Sequence, residues 1–455
     1  MISHFVNRTR QLAVLDEEWS RRGPRFIVLY GRRRIGKTRL LVEFFRDKSG
    51  VFYVADDTPA RLQTRRFREK MAQYLNDPLL ARLEIKDWGE LFEYLSDRLP
   101  RKRFYIAIDE FPYLLKNDMS ILSQMQRWWD ESLSRSSVFL VLSGSMLGLM
   151  SESVLSYASP LYGRRTRDLL LEPLGFEDAR QFVKYPFEDA LKLYLTVGGV
   201  PEYLLRASEY SGIMDFLRRE FFDKMGYFYR EPFYMVSQDL REMRTYFAIL
   251  DAIARGNTRP TRIGNYVGIE GRSIYPYLQA LSRLGLVERE TPLLGDSRRG
   301  VYVIRDSMFA FWFSLVYANR QAIEQESFEL SEDLLTPYYG HMFERFVRRE
   351  FFPRLGHTMV GRWWHRGEKI DIVSVDEKEA KLVLVECKWS RLTKSEAHSV
   401  IARLQHNAEK ISWRRGSRRE LYGVVARRVL GKNELRRNGY LVYDLRDIRS
   451  VFEAV

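Results

Sequence analysis

Residues 26–44 read FIVLYGRRRIGKTRLLVEF. The first five residues are apolar or aromatic, as in a buried β-strand, and the residues after the lysine have the spacing of an amphipathic helix. Between them, Gly31, Gly36, Lys37 and Thr38 form the pattern G-x-x-x-x-G-K-T. In this pattern the backbone N–H groups and the helix N-terminus surround phosphates, and the lysine neutralises their charge. The segment therefore predicts a phosphate-binding loop between a strand and a helix.

This loop predicts ATP or ADP as its ligand, together with Mg²⁺. The hydroxyl of Thr38 is a predicted magnesium ligand, because Mg²⁺ prefers oxygen donors. A strand before the loop and a helix after it make a chance match to the pattern less frequent. The loop residues predicted to contact the nucleotide are Gly31, Arg32, Arg33, Arg34, Ile35, Gly36, Lys37, Thr38 and Arg39.

A second part of this site is predicted in FYIAIDE, residues 104–110, where an apolar strand ends in two acids. Asp109 is expected to hold Mg²⁺, and Glu110 to polarise the attacking water, as paired acids do in phosphoryl transfer. By itself the pattern also fits a strand that ends in solvent-facing acids. The strand VFLVLSG carries Ser143 and is followed by Ser145. These hydroxyls are predicted to sense the γ-phosphate, although strands often end in serine and glycine.

Strand-like and helical patterns alternate from Phe26 to about Leu174, which predicts a parallel sheet covered by helices. The five strand candidates are FIVLY, VFYVA, FYIAID, VFLVLSG and RDLLLEPL. Because 455 residues are too many for one ordinary core, several domains are expected. The predicted domains are a P-loop ATPase core at 1–174, a helical lid at 175–237, a winged helix-turn-helix at 238–306, a connecting helix at 307–330 and a second α/β domain at 331–455.

Residues 258–289 contain the second helix of the predicted winged helix-turn-helix, starting near Gly271. The residues predicted to face outward on it are Arg272, Ser273 and Tyr275. Its inner face is predicted to consist of Leu278, Leu281 and Leu284. Such a helix can enter the major groove of DNA. Winged helices also serve as protein-docking modules, so either kind of partner fits the pattern.

The C-terminal part carries Glu344 on a predicted helix, Asp371 on a strand, and Glu386 with Lys388 on the next strand. Side chains two residues apart on a strand share a face, so Glu386 and Lys388 can meet an acid from a neighbouring strand. Such a group can bind magnesium through its carboxylates, while the lysine stabilises charge on a phosphate. Salt bridges among strand-end charges are the alternative interpretation.

Taken together, these motifs resemble the archaeal-type AAA-like P-loop ATPases, which are related to the STAND signal-transducing ATPases. The cues are FVNRTRQL, GRRRIGKT, IAIDE, LSGS, PLYGRRT and GGVP, and the resemblance covers nearly the whole chain. It implies that Asn7 and Arg8 lie near the adenine and that Pro201 in the helical lid approaches the nucleotide. It also implies that Arg164 or Arg165 acts as an arginine finger toward a neighbouring subunit, although an arginine pair also fits an ordinary surface.

The order of a helix Glu, a strand Asp, a strand E-x-K and a helix with Gln405 resembles the PD-(D/E)XK nuclease superfamily. The resemblance implies a restriction-endonuclease-like α/β fold for residues 331–455. One departure is that Ile370 precedes Asp371 where the family often has proline. Metal-dependent cleavage of nucleic acid by this domain is left open.

A net charge of +14 suggests a polyanionic partner, which we expect to be DNA. Residues 401–440 hold 11 Lys and Arg against 3 Asp and Glu. Phosphate contacts are predicted for Arg414, Arg415, Arg418 and Arg419. A solvated surface is the alternative, because charge runs are often just that.

Cys387 is the single cysteine, so no internal disulfide is expected. The sequence shows no apolar stretch long enough for a bilayer span, and its start does not resemble a signal peptide. These features predict a cytoplasmic protein without a membrane partner.

The preferred hypothesis is an ATP-hydrolysing protein whose nucleotide state controls a DNA-binding, and by resemblance DNA-cleaving, C-terminal half. A homo-oligomer is expected on the same resemblance. The alternative is a nucleotide-gated switch or scaffold that lacks nuclease activity and uses its winged helix to bind an operator or a protein.

Overall fold

The computed structural model describes residues 6–240 and 242–453. The chain forms two compact units, Met1–Pro173 and Leu174–Val455. The first unit is built around one sheet, and the second contains a helical part, a two-stranded sheet and a larger mixed sheet. The prediction of a mixed α/β chain with a parallel P-loop sheet and a second sheet toward the C-terminus is confirmed.

The sheet of the first unit consists of five parallel strands in the order β2-β3-β4-β1-β5. Its strands are β1 Arg25–Tyr30, β2 Gly50–Val54, β3 Phe104–Asp109, β4 Val138–Gly144 and β5 Arg167–Leu170. All five strands predicted from the sequence are present. Because the strands are parallel, their carboxyl ends meet at one edge, where ligands bind in open α/β sheets.

Helices cover both faces of this sheet, which explains why its central strands β1, β3 and β4 are largely apolar. On β1, Phe26 and Val28 pack into one hydrophobic core, while Ile27 and Leu29 pack into the other. The helices of the first unit are α1 Thr9–Ser20, α2 Lys37–Phe44, α3 Ala60–Leu75, α4 Pro78–Arg82, α5 Trp88–Ser96, α6 Pro112–Asn117, α7 Ile121–Glu131 and α8 Leu147–Leu149, which continues into a π-helical turn, Met150–Leu155.

The second unit begins with a helical part. Its helices are α9 Phe176–Ala179, α10 Phe187–Val197, α11 Pro201–Ala207, α12 Ile213–Glu220 and α13 Tyr227–Asp239. The predicted GGVP interruption separates α10 from α11: Gly198 has φ 67°, and Pro201 occupies the first turn of α11. Gly199 lies against the chain at Leu174, whose N–H donates to the Gly199 carbonyl at 2.8 Å. This close backbone contact requires a residue without a Cβ at position 199.

Three helices and a two-stranded antiparallel hairpin follow, an order of elements that agrees with the predicted winged helix-turn-helix. Its elements are α14 Met243–Ala254, α15 Pro260–Val267, α16 Ile274–Arg283, β6 Val287–Glu290 and β7 Val301–Ile304. A short 3-10 turn, Gly271–Ser273, leads into α16. The inner face of α16 contains Leu278 and Leu281 as predicted, together with Ile274. Leu284 was assigned wrongly, because it lies beyond the helix end and is partly exposed.

The larger sheet of the second unit has the order β12-β11-β10-β9-β8. Its strands are β8 Met359–His365, β9 Glu368–Asp376, β10 Lys381–Leu392, β11 Arg419–Val429 and β12 Leu441–Asp444. β8, β9 and β10 form an antiparallel meander, and β10, β11 and β12 are parallel. The remaining helices are α17 Ser307–Phe311, α18 Arg320–Glu324, α19 Glu332–Phe346, α20 Phe352–Arg354, α21 Lys394–Ala408, α22 Lys432–Arg437 and α23 Leu445–Glu453. Two π-helical turns, Trp312–Val316 and Val347–Phe351, follow α17 and α19.

Candidate functional site

The phosphate-binding loop joins β1 to α2 in the first unit. Gly36 has φ 87°, a left-handed conformation that glycine adopts without strain, and Lys37 begins the helix. The buried ammonium group of Lys37 donates to the carbonyls of Gly31 at 3.0 Å and Arg32 at 3.1 Å. Burial lowers the pKa of Lys37, whereas the nearby carboxylates of Glu110 and Asp109 oppose that shift. Lys37 therefore lies close to Asp109 and Glu110, the two acids predicted to belong to the same site.

Thr38 and Asp109 come into direct contact although 71 residues separate them, because the hydroxyl of Thr38 donates to Asp109 Oδ2. Asp109 is fully buried at the end of β3, and Thr38 is exposed in the first turn of α2. One hydroxyl and one carboxylate in contact form a set of oxygen donors that suits Mg²⁺. The chemistry of these residues therefore fits the predicted ion.

Glu110 follows Asp109 in a strained conformation, with φ 52°. A non-glycine residue in this region costs about 1 to 2 kcal/mol and persists only where its surroundings fix it. The backbone N–H of Glu110 donates to Asp109 Oδ1 at 3.0 Å, and the hydroxyl of Ser145 donates to its carboxylate at 2.7 Å. These bonds hold the carboxylate at the carboxyl edge of the sheet, where a water-activating acid is expected.

Ser143 is buried at the end of β4, in register with Leu29 of β1, two residues before Gly31. Its carbonyl accepts the N–H of Phe111 at 2.8 Å, but its hydroxyl has no hydrogen-bond partner among the described residues. A buried hydroxyl left unpaired is rare in proteins. This position agrees with the predicted contact to the nucleotide, which stays a prediction.

The N-terminal residues lie beside the loop. Asn7 accepts hydrogen bonds from the backbone and hydroxyl of Thr9 at the start of α1. Arg8 is buried, and its guanidinium donates to the carbonyls of Ile35 at 3.1 Å and Glu172 at 2.8 Å. Arg8 thus braces the phosphate-binding loop against the chain after β5. The adenine contact of Asn7 and Arg8 stays a prediction.

The other loop residues differ in exposure. Ile35 packs its side chain into the core, so only its backbone is left for a ligand. Arg32, Arg33 and Arg34 are partly exposed, and Arg39 is exposed on α2. Their nucleotide contacts stay predictions. The same holds for Pro201, which begins α11 in the second unit.

The two candidate arginine fingers are both engaged within the first unit. Arg164 forms a bidentate pair with Asp130, at 2.8 and 2.7 Å, and also donates to the Pro160 carbonyl. Arg165 lies 3.3 Å from Asp168 and is largely buried. Reaching a neighbouring subunit would require Arg164 to leave Asp130, so these contacts do not favour the predicted role.

The C-terminal acids lie near one another on the mixed sheet and α19. Asp371 is fully buried on β9, where its Oδ2 accepts the backbone N–H of Cys387 at 3.1 Å. Glu386 lies 3.0 Å from Lys388 on the same face of β10. Glu344 on α19 is joined to Asp371 by Lys369, whose ammonium lies 4.0 Å from Glu344 and 3.5 Å from Asp371.

Burial, neighbouring acids and neighbouring cations together determine the pKa values of Glu344 and Glu386. Burial first and then Asp371 raise the pKa of Glu344 to about 7, and the same two causes raise the pKa of Glu386. Within the described chain, no three His, Cys, Asp or Glu side chains are grouped closely enough to hold a metal ion. In this arrangement the acids are paired with lysine and arginine, which is the alternative that the sequence left open.

Two cations that contact these acids were not predicted from the sequence. Lys369 stands two residues before Asp371, so the alternation of β9 could have placed both on one face. Arg403 of α21 lies 3.0 Å from Glu386, whereas Gln405, the residue expected there, is exposed. Nothing local in the sequence distinguishes Arg403 from the other charges of α21.

Most of the basic stretch at 401–440 is already neutralised. Seven of its eleven cations pair with acids, namely Arg403, Lys410, Arg414, Arg418, Arg427, Lys432 and Arg436. Arg418 is only 3% exposed, pairs with Glu420 at 2.7 Å and donates to the carbonyls of Ala408 and Ile411. The predicted phosphate contact of Arg418 is therefore wrong, because its guanidinium N–H groups already donate to partners inside the domain. Arg415 and Arg419 are exposed.

The raised pKa of Glu344 predicts a dependence of stability on pH. Its ordinary value of 4.5 applies to the unfolded chain, so between about pH 4.5 and 7 the folded state binds more protons. Stability should therefore fall as pH rises through this window. Glu344→Gln, which resembles the protonated acid, should flatten that fall and make the second unit more stable than the wild type at about pH 8.

Urea unfolding at about pH 5 and about pH 8 measures this difference. The exposed Glu329→Gln serves as the control. An equal gain from Glu344→Gln at both pH values would contradict the prediction.

The loop, the adjacent Thr38 and Asp109, and Glu110 at the edge of a parallel sheet define a P-loop ATPase. Residues 5–207 match the family described as an ATPase domain predominantly from Archaea, and residues 312–400 match a family of archaeal and bacterial proteins of unknown function. The chain is 32% identical over 457 residues to an uncharacterized protein of Methanocaldococcus jannaschii, covering 97% of this chain and 99% of that protein. The chain belongs to this archaeal ATPase family, and it binds and hydrolyses ATP.

Two further similarities agree with this assignment. An uncharacterized ATP-binding protein of Methanocaldococcus jannaschii is 46% identical over 44 residues, which are 10% of this chain and 75% of that protein. The Walker-type ATPase structure from Pyrococcus abyssi has a TM-score of 0.53 and 20% identity, covering 68% of this chain and 96% of that one. At this identity the similarity shows a shared fold. Within residues 6–240 and 242–453, no helix combines the length and apolarity that a bilayer span needs.

Proposed function

We propose that the ATPase cycle of the first unit controls DNA binding by the winged helix of the second unit. Support for the DNA-binding part comes from the charges at the N-terminal ends of α15 and α16. Arg259, Arg262 and Arg272 are exposed and form no ion pair with any residue that the structure describes. Unpaired guanidinium groups beside a helix that can enter a groove are suited to phosphates. This is the observation that carries the proposal.

In the ATPase site, Lys37 would neutralise the β- and γ-phosphates, and Thr38 with Asp109 would hold Mg²⁺ through their oxygens. The ion would supply positive charge to the phosphate oxygens. Glu110 accepts a proton from the attacking water while Ser145 fixes its carboxylate. Ser143 offers its unpaired hydroxyl to the γ-phosphate. ATP is cleaved to ADP and phosphate by transfer of the phosphoryl group to water.

A protein partner is the second candidate for the winged helix. Tyr266 on α15 and Tyr275 on α16 are 46% and 43% exposed, and aromatic residues are enriched in protein interfaces. This candidate corresponds to the switch or scaffold alternative. The two candidates differ in salt dependence, because only DNA binding releases condensed counterions.

Cleavage of DNA stays outside the proposed function. Two buried carboxylate oxygens, Glu344 Oε2 and Asp371 Oδ1, lack hydrogen-bond partners among the described residues, which agrees with a cation nearby. That cation is Lys369 for Asp371 in this structure. The three acids are therefore paired with lysine and arginine side chains of the same domain.

Replacing Arg259, Arg262 and Arg272 together by glutamine should weaken duplex DNA binding at least about tenfold at low salt. The slope of log K against log salt should fall by up to about 0.9 for each phosphate that the variant no longer neutralises. Fluorescence anisotropy with labelled duplex DNA measures both quantities.

The matched control replaces Arg428, Arg437 and Arg446, exposed cations of the C-terminal domain, by glutamine and so removes the same charge. If the control weakens binding as much as the winged-helix variant, general charge explains the effect and the proposed surface is wrong. If wild-type protein does not bind DNA at low salt, the DNA-binding proposal fails and the protein partner takes its place.

A further inference from the structure

Two acids of the wing strand β6 lie against four arginines of the C-terminal domain. Glu288 and Glu290 are two residues apart, so their side chains share one face of β6. The arginines, called here the arginine cluster, are Arg345, Arg348, Arg349 and Arg362. They come from α19, the π-helical turn after it, and β8.

The contacts are close and largely buried. Glu290 lies 2.7 Å from Arg348, 3.6 Å from Arg349 and 3.4 Å from Arg362. Glu288 pairs with Arg349 and lies 3.9 Å from Arg345, which donates to the Ile304 and Arg305 carbonyls and therefore contributes charge rather than free donors. Burial alone would raise the pKa of Glu290, but Arg348, Arg362 and Arg349 together lower it, so Glu290 remains a carboxylate. Two carboxylates against four guanidinium groups leave a net charge of about +2, which falls to about +1 when Glu344, 3.9 Å from Arg362, is ionised.

The wing is also fixed by backbone contacts to the C-terminal domain. The N–H of Leu293 donates to the Arg362 carbonyl at 2.8 Å, and the indole of Trp364 donates to the Arg299 carbonyl at 3.2 Å. Leu293 and Leu294 pack onto the hydrophobic core of the mixed sheet. A wing that contacts DNA must present its hairpin to solvent. This wing is held against its own chain instead.

Open space reaches the arginine cluster from two sides. A cavity of about 580 Å³ is lined by Glu290, Arg348, Arg362 and also by Glu344 of the acid group. A second cavity of about 560 Å³ is lined by the same Glu290 and by Arg349. Arg362 contacts Glu290 of the wing and lies 3.9 Å from Glu344. The cluster is therefore accessible to a competing anion while the wing is docked.

We propose that the arginine cluster is a second binding surface for the DNA backbone and that Glu288 and Glu290 occupy it as internal stand-ins for phosphates. Arginine forks suit phosphate oxygens as well as carboxylates. Carboxylates two residues apart on a strand are separated by about 6.7 Å, a distance that lets each engage its own arginines. A DNA phosphodiester carries one negative charge, as a carboxylate does, so each phosphate can take the place of one carboxylate at the arginines without a change in net charge. This inference rests on the proposed DNA binding and adds a surface that the wing closes.

The test compares the Glu288→Gln/Glu290→Gln double variant of the full chain with wild type in duplex DNA binding. Without the two carboxylates, the arginines should bind phosphates without first separating from an acid. Affinity should rise about tenfold, and the salt slope should steepen by up to about 0.9 for each arginine engaged. The matched control is Glu324→Gln/Glu326→Gln, which also removes two acids two residues apart, each paired with one cation.

A double variant whose affinity and slope equal those of the control pair overturns the proposal. If the double variant unfolds, Glu288→Gln alone replaces it, because Glu288 is the more exposed of the two acids, and it should give a smaller change in the same direction. An unchanged slope there also overturns the proposal.

The failure of the proposed function is recognised separately. Normal binding by the Arg259/Arg262/Arg272 variant would remove α15 and α16 from the DNA contact, yet the gain from Glu288→Gln/Glu290→Gln would still support the arginine cluster. Arg349 is the most exposed arginine of the cluster. If adding Arg349→Gln to the double variant reverses the gain in affinity, the gain comes from the arginine cluster.

Discussion

Lys37→Ala is expected to abolish ATP binding at concentrations that saturate the wild type, and turnover with it. The ammonium group is the positive charge at the centre of the phosphate-binding loop, and it is held there by the carbonyls of Gly31 and Arg32. Glu110→Gln should instead keep ATP binding and lower turnover about 10²- to 10⁴-fold, because only the proton acceptor is removed. Phosphate release and equilibrium binding of ATP separate the two variants.

Lys70→Ala and Glu131→Gln are the matched controls, since both residues are exposed on helices of the first unit. Both should retain wild-type turnover. If Glu110→Gln hydrolyses ATP at the wild-type rate, Glu110 is not the water-activating group. If Lys37→Ala still binds ATP normally, the loop does not hold the phosphates as described.

Gly199→Ala is expected to destabilise the second unit by at least about 3 kcal/mol. A Cβ at position 199 would lie 1.7 Å from the Leu174 carbonyl oxygen, and that atom belongs to the backbone. The chain at Leu174 is also tied to position 199 by a hydrogen bond, so it cannot move away without breaking it. The methyl group can therefore be accommodated only by separating the two segments.

Gly340→Ala is the control for this change. Gly340 lies inside α19, and its Cβ would meet the nearest atom at 3.8 Å, which is ordinary contact. Alanine should be neutral there or stabilise the helix by up to about 1 kcal/mol. Urea unfolding of both variants measures the contrast. A loss of less than about 1 kcal/mol in Gly199→Ala would show that the chain at Leu174 is not rigid.

The ATPase core could be predicted from the sequence because its signals are local. β1 and the loop are contiguous, and the central strands β1, β3 and β4 are buried on both faces, so each appears as an apolar run. Thr38 and Asp109 were each predicted as magnesium ligands, and the structure brings them into contact because parallel strands end at one edge of the sheet. The conformation of Glu110 and its bond to Ser145 needed the structure.

The C-terminal half was less accessible for physical reasons. β12 has only four residues, and β8 mixes glycine, arginine and tryptophan without alternation, so neither gives a strand signal. The ion pairs of this half join residues that are far apart in the chain. Arg418 looked like an exposed phosphate ligand because its carbonyl partners cannot be inferred from sequence, and the docking of Glu290 on Arg348 crosses 58 residues.

The central claim is that the nucleotide state of the first unit governs DNA binding by the second. The most direct measurement is the duplex DNA affinity of Glu110→Gln with saturating ATP against that of the same protein with saturating ADP, at one fixed salt concentration. The account predicts affinities that differ at least about fivefold, which corresponds to a coupling free energy of about 1 kcal/mol. Equal affinities in the two states, with both nucleotides shown to be bound, would contradict it.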